Sequence, residues 1–183
     1  MTPQEFLLKT FTVTIARTFN EPRLTPEGIA SNFDLRDTGP ATLAKVSISS
    51  ISMVLSLAFV ATIESLILLY GKDCANPNEV MIKAANLFDE VVKVNYATKH
   101  FPNWVDPDYC GRWRVRYEKA QIGGLYPSIR IATISTFFQQ STFSYRNEPA
   151  VELSPQTVQL IGEDVYDNYC IALRQMLGSD VLN

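Results

Sequence analysis

Arg112-Trp113-Arg114-Val115-Arg116-Tyr117-Glu118-Lys119 is the stretch of this 183-residue chain whose residue types come closest to a chemical task. In an extended conformation, Arg112, Arg114, Arg116 and Glu118 share one face, and Trp113, Val115 and Tyr117 share the other. In a helix, Arg112, Arg116 and Lys119 stack at i, i+4 and i+7, and Arg114 stands to one side. Either conformation clusters guanidinium groups at a spacing that suits consecutive phosphates, because each presents a planar fork of donors. Trp113, Tyr117 and Tyr126 offer rings on which unpaired bases stack. Ser128 and Arg130 continue the groove. The candidate RNA-contacting set is therefore Arg112, Arg114, Arg116, Lys119, Tyr126, Ser128 and Arg130. The competing account pairs these arginines with carboxylates of a neighbouring helix and packs the rings into the core.

The charge distribution sharpens that choice. The chain is weakly acidic, with a net charge of −3. Residues 1–109 carry a net −3. Residues 110–146 carry six basic groups against Glu118 alone, a net +5. Residues 147–183 carry Arg174 against Glu148, Glu152, Glu163, Asp164, Asp167 and Asp180, a net −5. A basic segment followed by an acidic one has two plain uses: an anionic partner at the first, or contact between identical subunits, basic face to acidic face.

Catalytic and metal chemistry leave little trace. His100 is the single histidine, set among Lys99, Phe101 and Trp104. No GxSxG, HExxH or P-loop pattern occurs. Gly123-Gly124 reads as a turn, and Asp106-Pro107-Asp108 as solvated loop carboxylates. Cys74, Cys110 and Cys170 form no CxxC pair and no ligand spacing for zinc. They read as free thiols in a reducing compartment. The chain is thus expected to be non-catalytic, with no metal and no cofactor.

The elements that must position these residues read as helices. Thr2-Pro3, Thr25-Pro26, Asn76-Pro77 and Ser154-Pro155 each set an oxygen acceptor at an N-cap and proline at the first helical position. Thr2 with Glu5 fits a capping box. The spacing predicts a helix from Pro3 to about Phe19, with Leu8, Phe11, Ile15 and Phe19 on its inner face. The Thr10–Ile15 alternation leaves a strand as the competitor there. A short helix over 26–33 follows. A long helix then runs from Pro40 towards Tyr70, with a break near its serine cluster as the alternative. Pro77 to about Thr98 carries the stripe Met81, Ala84, Ala85, Phe88, Val91 and Val92. Ser128 to about Gln140 carries Ile131, Ile134 and Phe138. Pro155 to Leu177 carries Val158, Ile161, Val165, Tyr169, Ala172 and Met176. The expected fold is a mainly α, single-domain helical bundle with irregular terminal segments, a small β element near 112–117 being the open alternative. Its parts are an N-terminal arm or helix region (1–39), a helical core (40–177) and a C-terminal tail (178–183).

Val46–Ile63 is uncharged over eighteen residues, near the lower limit for spanning a bilayer. Five serines interrupt it, and Glu64 would sit inside any span extended to Tyr70, where a carboxylate is strongly disfavoured. A central helix buried on most faces accounts for the pattern, so no membrane contact is expected. The N-terminus shows no basic region leading into an apolar core and a cleavage site, so no secretory signal is read.

Phe101-Pro102-Asn103-Trp104 follows an apolar helix and precedes an arginine-bearing segment. In this, in size and in its helical reading, the chain resembles the all-helical coat proteins of filamentous and rod-shaped plant RNA viruses. In flexuous-virus coat proteins a similar proline-asparagine-tryptophan turn follows a core helix. The likeness covers about residues 77–117, and Arg112–Tyr117 stands where that family carries an aromatic-rich motif. The resemblance implies a capsid subunit that self-assembles around single-stranded RNA, in the virion and the host cytoplasm, and it assigns no residue a role. The expected partners are thus the chain itself, as a homo-oligomer or helical filament, and single-stranded RNA. Two other classes stand beside this one. One is a helical interaction module or dimeric regulator without nucleic acid. The other is a small-ligand-binding helical protein or enzyme.

Overall fold

The computed structural model describes residues 1–70, 77–98, 101–105, 128–144 and 147–177. Among these the protein is all helix, a mainly α single domain without strands. The helices are α1 (Pro3–Phe19), α2 (Pro26–Asn32), α3 (Pro40–Tyr70), α4 (Pro77–Thr98), α5 (Ile129–Thr142) and α6 (Pro155–Leu177), with a 3-10 turn at Pro22–Leu24 before α2.

The proline-led caps form as their chemistry dictates. Thr2 Oγ1 accepts from the Glu5 N–H, and the Glu5 carboxylate accepts from the Thr2 N–H at 2.7 Å, closing the capping box. Thr25 Oγ1 accepts from the Gly28 N–H, and Ser154 Oγ from the Thr157 N–H. Asn76 lies outside the described residues. α2 ends in a Schellman motif: the Leu35 N–H reaches the Ala30 carbonyl, and Asp34 takes the left-handed position at φ 53°.

α3 is the axis of the bundle, and α1, α2, α4, α5 and α6 all pack on it. It is the one described helix long and apolar enough to cross a membrane, and 82% of its most apolar window is buried inside the fold. The alternative of a break at the serines is not realised: the helix is continuous, and Ser47, Ser50 and Ser52 find partners without opening it, while the Ser56 hydroxyl is buried without one. Ser50 donates to the Val46 carbonyl one turn back, and Thr62 to that of Ala58. Ser47 donates outward to the Leu24 carbonyl, and Ser52 shares a hydrogen bond with the Tyr96 hydroxyl. Small hydroxyl side chains that close on their own backbone let neighbouring helices approach on every side.

The core begins at Leu7, well before residue 40. Phe11 of α1, Phe59 of α3 and Phe88 of α4 meet with ring centroids 5.2–6.1 Å apart. The Tyr70 hydroxyl donates to the Met1 carbonyl and ties the start of α1 to the end of α3. The helices of region 1–39 thus pack onto α3 as part of the bundle. Thr10–Ile15 is helical, since Leu7, Phe11, Ile15 and Thr18 form one buried face.

Three predicted faces are corrected in detail. On α1, Leu7 is buried and Leu8 exposed. On α5, Ile134 is buried and Phe138 partly so, but Ile131 faces solvent. The buried face of α5 is instead Ala132, Thr133, Thr136, Phe137, Gln140 and Ser141. Thr136 closes on the Ala132 carbonyl, which makes a hydroxyl tolerable there. On α6, the stripe turns towards Cys170 and Leu173, leaving Ala172 exposed. The side chains of Met81, Ala84 and Met176 lie outside the described set.

Candidate functional site

The basic stretch enters and leaves from two anchored points. On its N-terminal side, Phe101-Pro102-Asn103-Trp104 forms a turn closed by the Val105 N–H on the Pro102 carbonyl at 2.9 Å. Phe101 lies 4.4 Å from the Tyr96 ring of α4 and 6.0 Å from Phe19 of α1. Trp104 is partly buried against the same core. On the C-terminal side, Ser128 caps α5, its Oγ accepting from the Ile131 N–H at 3.3 Å. Arg112, Arg114, Arg116, Lys119 and Tyr126, and the alternative β element near 112–117, lie outside the described residues. So do His100, Cys74 and Cys110.

Arg130 stands in the first turn of α5 and reaches across to α6. Its Nε and one terminal nitrogen donate to the two Asp167 oxygens, each at 3.2 Å, a bidentate fork. Its guanidinium lies 5.8 Å from the centre of the Tyr166 ring. The hydrogen bonds to Asp167 hold Arg130 still more firmly protonated than usual, against a small opposing effect of burial. One turn back on α6, Asp164 accepts from Arg23 of the 3-10 turn at 3.5 Å. Both pairs are open to water: Arg130 is 44% exposed and Asp167 56%. Burial pushes the nearby Tyr169 phenol up, with the Glu21 carboxylate adding to it. Of the predicted site residues, Ser128 thus serves as a helix cap and Arg130 sits in an internal ion pair.

Among the described residues, several carboxylates of the acidic C-terminal segment have side-chain partners. Glu148 pairs with Lys45 at 3.5 Å, Asp164 with Arg23, and Asp167 with Arg130, while Glu163 accepts from the Gln159 amide. Glu152 is exposed, and Asp180 lies outside the described residues.

Lys45 escaped the sequence reading. Its side chain is 0% exposed, and its Nζ donates to the Phe143 carbonyl at 3.0 Å and the Pro149 carbonyl at 3.1 Å beside Glu148. The ammonium is thus held by two carbonyls and a carboxylate. Desolvation lowers its pKa, and the Glu148 carboxylate opposes that shift. The available signal was a lone lysine at the head of an otherwise apolar run. Its partners are about a hundred residues away, so local spacing could not supply them. Cys170 is a buried free thiol, and burial pushes its pKa up, away from thiolate chemistry. Among the described residues, no group of three or more His, Cys, Asp or Glu is placed to hold a metal ion. No protein-family model, curated protein or solved structure matches the chain.

Proposed function

We propose that the chain is a structural subunit that self-associates and binds single-stranded RNA through the 112–130 stretch, in the manner of a helical capsid or nucleocapsid protein. The observation that carries this reading is the net +5 of residues 110–146, six basic groups against Glu118 alone. Glu148, Asp164 and Asp167 already hold Lys45, Arg23 and Arg130. Within the basic segment Arg130 is thus already paired, so Arg112, Arg114, Arg116 and Lys119 are the cations proposed to meet an outside polyanion. In this reading those four cations contact phosphates, Tyr126 stacks on a base, Ser128 fixes the start of α5, and Arg130 joins only by leaving Asp167. An acidic protein suffices for packaging when many subunits each make a few phosphate contacts.

A salt titration of binding to a single-stranded RNA oligonucleotide tests this. Each phosphate contact adds about 0.7 to the slope of log affinity against log salt. Arg114→Glu with Arg116→Glu should flatten that slope and weaken binding across sequences. An unchanged slope removes the stretch from the proposal. The second reading is a dimeric interaction module without nucleic acid. Exposed Leu160 and Ile171 on α6 favour it, and light scattering separates the two: filaments grown on RNA support the first, a fixed dimer indifferent to RNA the second.

A further inference from the structure

α6 packs on α3 and α5 through Val158, Ile161, Val165 and Leu173. Its opposite face carries Gln156, Leu160, Asp164, Asp167, Ile171 and Gln175. Steps of four, four, three, four and four residues keep these six on one stripe, roughly 100° wide. Both the steps and the residue types read the same from either end: amide, aliphatic, carboxylate, carboxylate, aliphatic, amide. Leu160 is 58% exposed and Ile171 54%.

A stripe that reads the same in both directions is what a two-fold contact requires, because residue i then meets j while j meets i. With the axis between Val165 and Tyr166, Leu160 faces Ile171 of a second copy, Gln156 faces Gln175, and Asp164 faces Asp167. Bare carboxylates meeting in this way would repel. Here each is accompanied: Arg23 stands on Asp164 and Arg130 on Asp167, from the elements flanking α6. Each copy brings two carboxylates and two guanidiniums to the centre of the contact. Arginine carries five N–H donors, and Arg130 directs Nε and one terminal nitrogen at Asp167, so its fork has donors left for a carboxylate across the axis.

We infer that the outer face of α6 is a self-association surface, on which a second copy of this chain lays its own α6 antiparallel. The aliphatic pairs supply the dry ends and the arginine–aspartate cluster the neutral, register-setting middle. The contact uses no residue of 106–127 and does not rest on RNA binding; in a packaging protein it would make the dimer the building unit.

The test is light scattering on the full chain, cleared of nucleic acid, together with crosslinking in mixtures. The wild type should be a dimer, and Leu160→Glu with Ile171→Glu should raise its dissociation constant by about tenfold or more at unchanged helicity. For the register, Leu160→Cys chains and Ile171→Cys chains are mixed and treated with a short bismaleimide, and junctions are located by mass spectrometry. A 160–171 link in the mixture is expected. Neither chain alone should link through its new cysteine, since equal positions would lie about 16 Å apart along the helix axis. A monomer at every concentration, a dimer unaffected by the two glutamates, or a 160–160 link overturns the inference. The RNA salt slope of the Leu160→Glu/Ile171→Glu chain is read in parallel. A kept slope with a lost dimer is the expected result; a wild type that dimerises without binding RNA fails the RNA reading alone, and one that binds RNA but stays monomeric without it fails the α6 contact alone.

Discussion

Lys45–Glu148 and Arg130–Asp167 are ion pairs of nearly equal length, 3.5 and 3.2 Å, in opposite settings. The first is sealed, with side chains 0% and 3% exposed; the second lies in water. Coulomb's law at such distances gives about 1 kcal/mol in water and about 4 kcal/mol at the effective dielectric of a protein. Separation therefore does not distinguish the two pairs; solvent does. Lys45 has lost its hydration, and two carbonyls and a carboxylate replace it, so removing any partner leaves a stranded charge. Arg130 keeps water nearby and can trade Asp167 for another anion at little cost. The sealed pair fixes the 143–149 connection onto α3. The open pair suits a surface that changes partners.

The comparison predicts unequal damage. Lys45→Met strands Glu148 in the core and should lower stability by about 3–5 kcal/mol, read as a urea midpoint shift at constant slope. Lys45→Met with Glu148→Leu should recover most of that loss, since apolar replacements of a whole buried pair are often neutral. If the single variant lost less than about 1 kcal/mol, the two pairs would be of one kind and the contrast would dissolve.

The next effect separates packing from charge where α5 meets α6. A Cβ at Gly162 would come within 2.7 Å of Phe137 Cδ1, an approach that glycine alone permits. Gly162→Ala should therefore cost about 1–3 kcal/mol through forced repacking, visible in thermal melts. Arg130→Ala, on the same pair of helices, should cost less than about 1 kcal/mol. The reverse order would make the open ion pair, rather than the close approach, the fastening of α6.

A pH series sharpens the sealed half. The folded pKa of Lys45 is below the ordinary value of 10.5, so the unfolded chain holds that proton more tightly. Between the lowered pKa and 10.5 the unfolded state carries more protons, and stability due to this group rises with pH. The urea midpoint of the wild type, measured against Lys45→Met/Glu148→Leu, should gain as pH climbs towards 10.5. A flat difference would mean that Glu148 and the two carbonyls fully compensate the lost hydration.

Most of the fold was legible because its signals are local. Thr2, Thr25 and Ser154 ahead of proline fix helix starts by satisfying orphan N–H groups within three residues, and those helices begin where the caps place them. Inner faces were less legible wherever hydroxyls do the packing. Hydropathy puts Ile131 inside α5 and Thr136 out, yet Thr136 closes on the Ala132 carbonyl and goes in. The charges were least legible. Neither the burial of Lys45 nor the capture of Arg130 can be read from neighbours in sequence, as their partners lie 37 to 104 residues away. The block of acids after a block of bases did signal that such pairs exist, but not which members would meet.

The smallest effect probes exchange itself. Asp167→Asn keeps the side chain's size and removes its charge, so stability should fall by less than about 1 kcal/mol, and less still at high salt. On the RNA reading, the freed Arg130 becomes one more cation for a phosphate. The salt slope should then steepen by about 0.7, with affinity higher at low salt. Asp164→Asn should act in the same direction through Arg23. The contrast with Lys45 makes this decisive: Arg130 has an equivalent aqueous alternative, whereas a lysine without solvent has none. A slope unmoved by Asp167→Asn, in a chain that still binds RNA through Arg114 and Arg116, would assign Arg130 wholly to the α5–α6 contact and leave phosphate binding to the 112–119 cations.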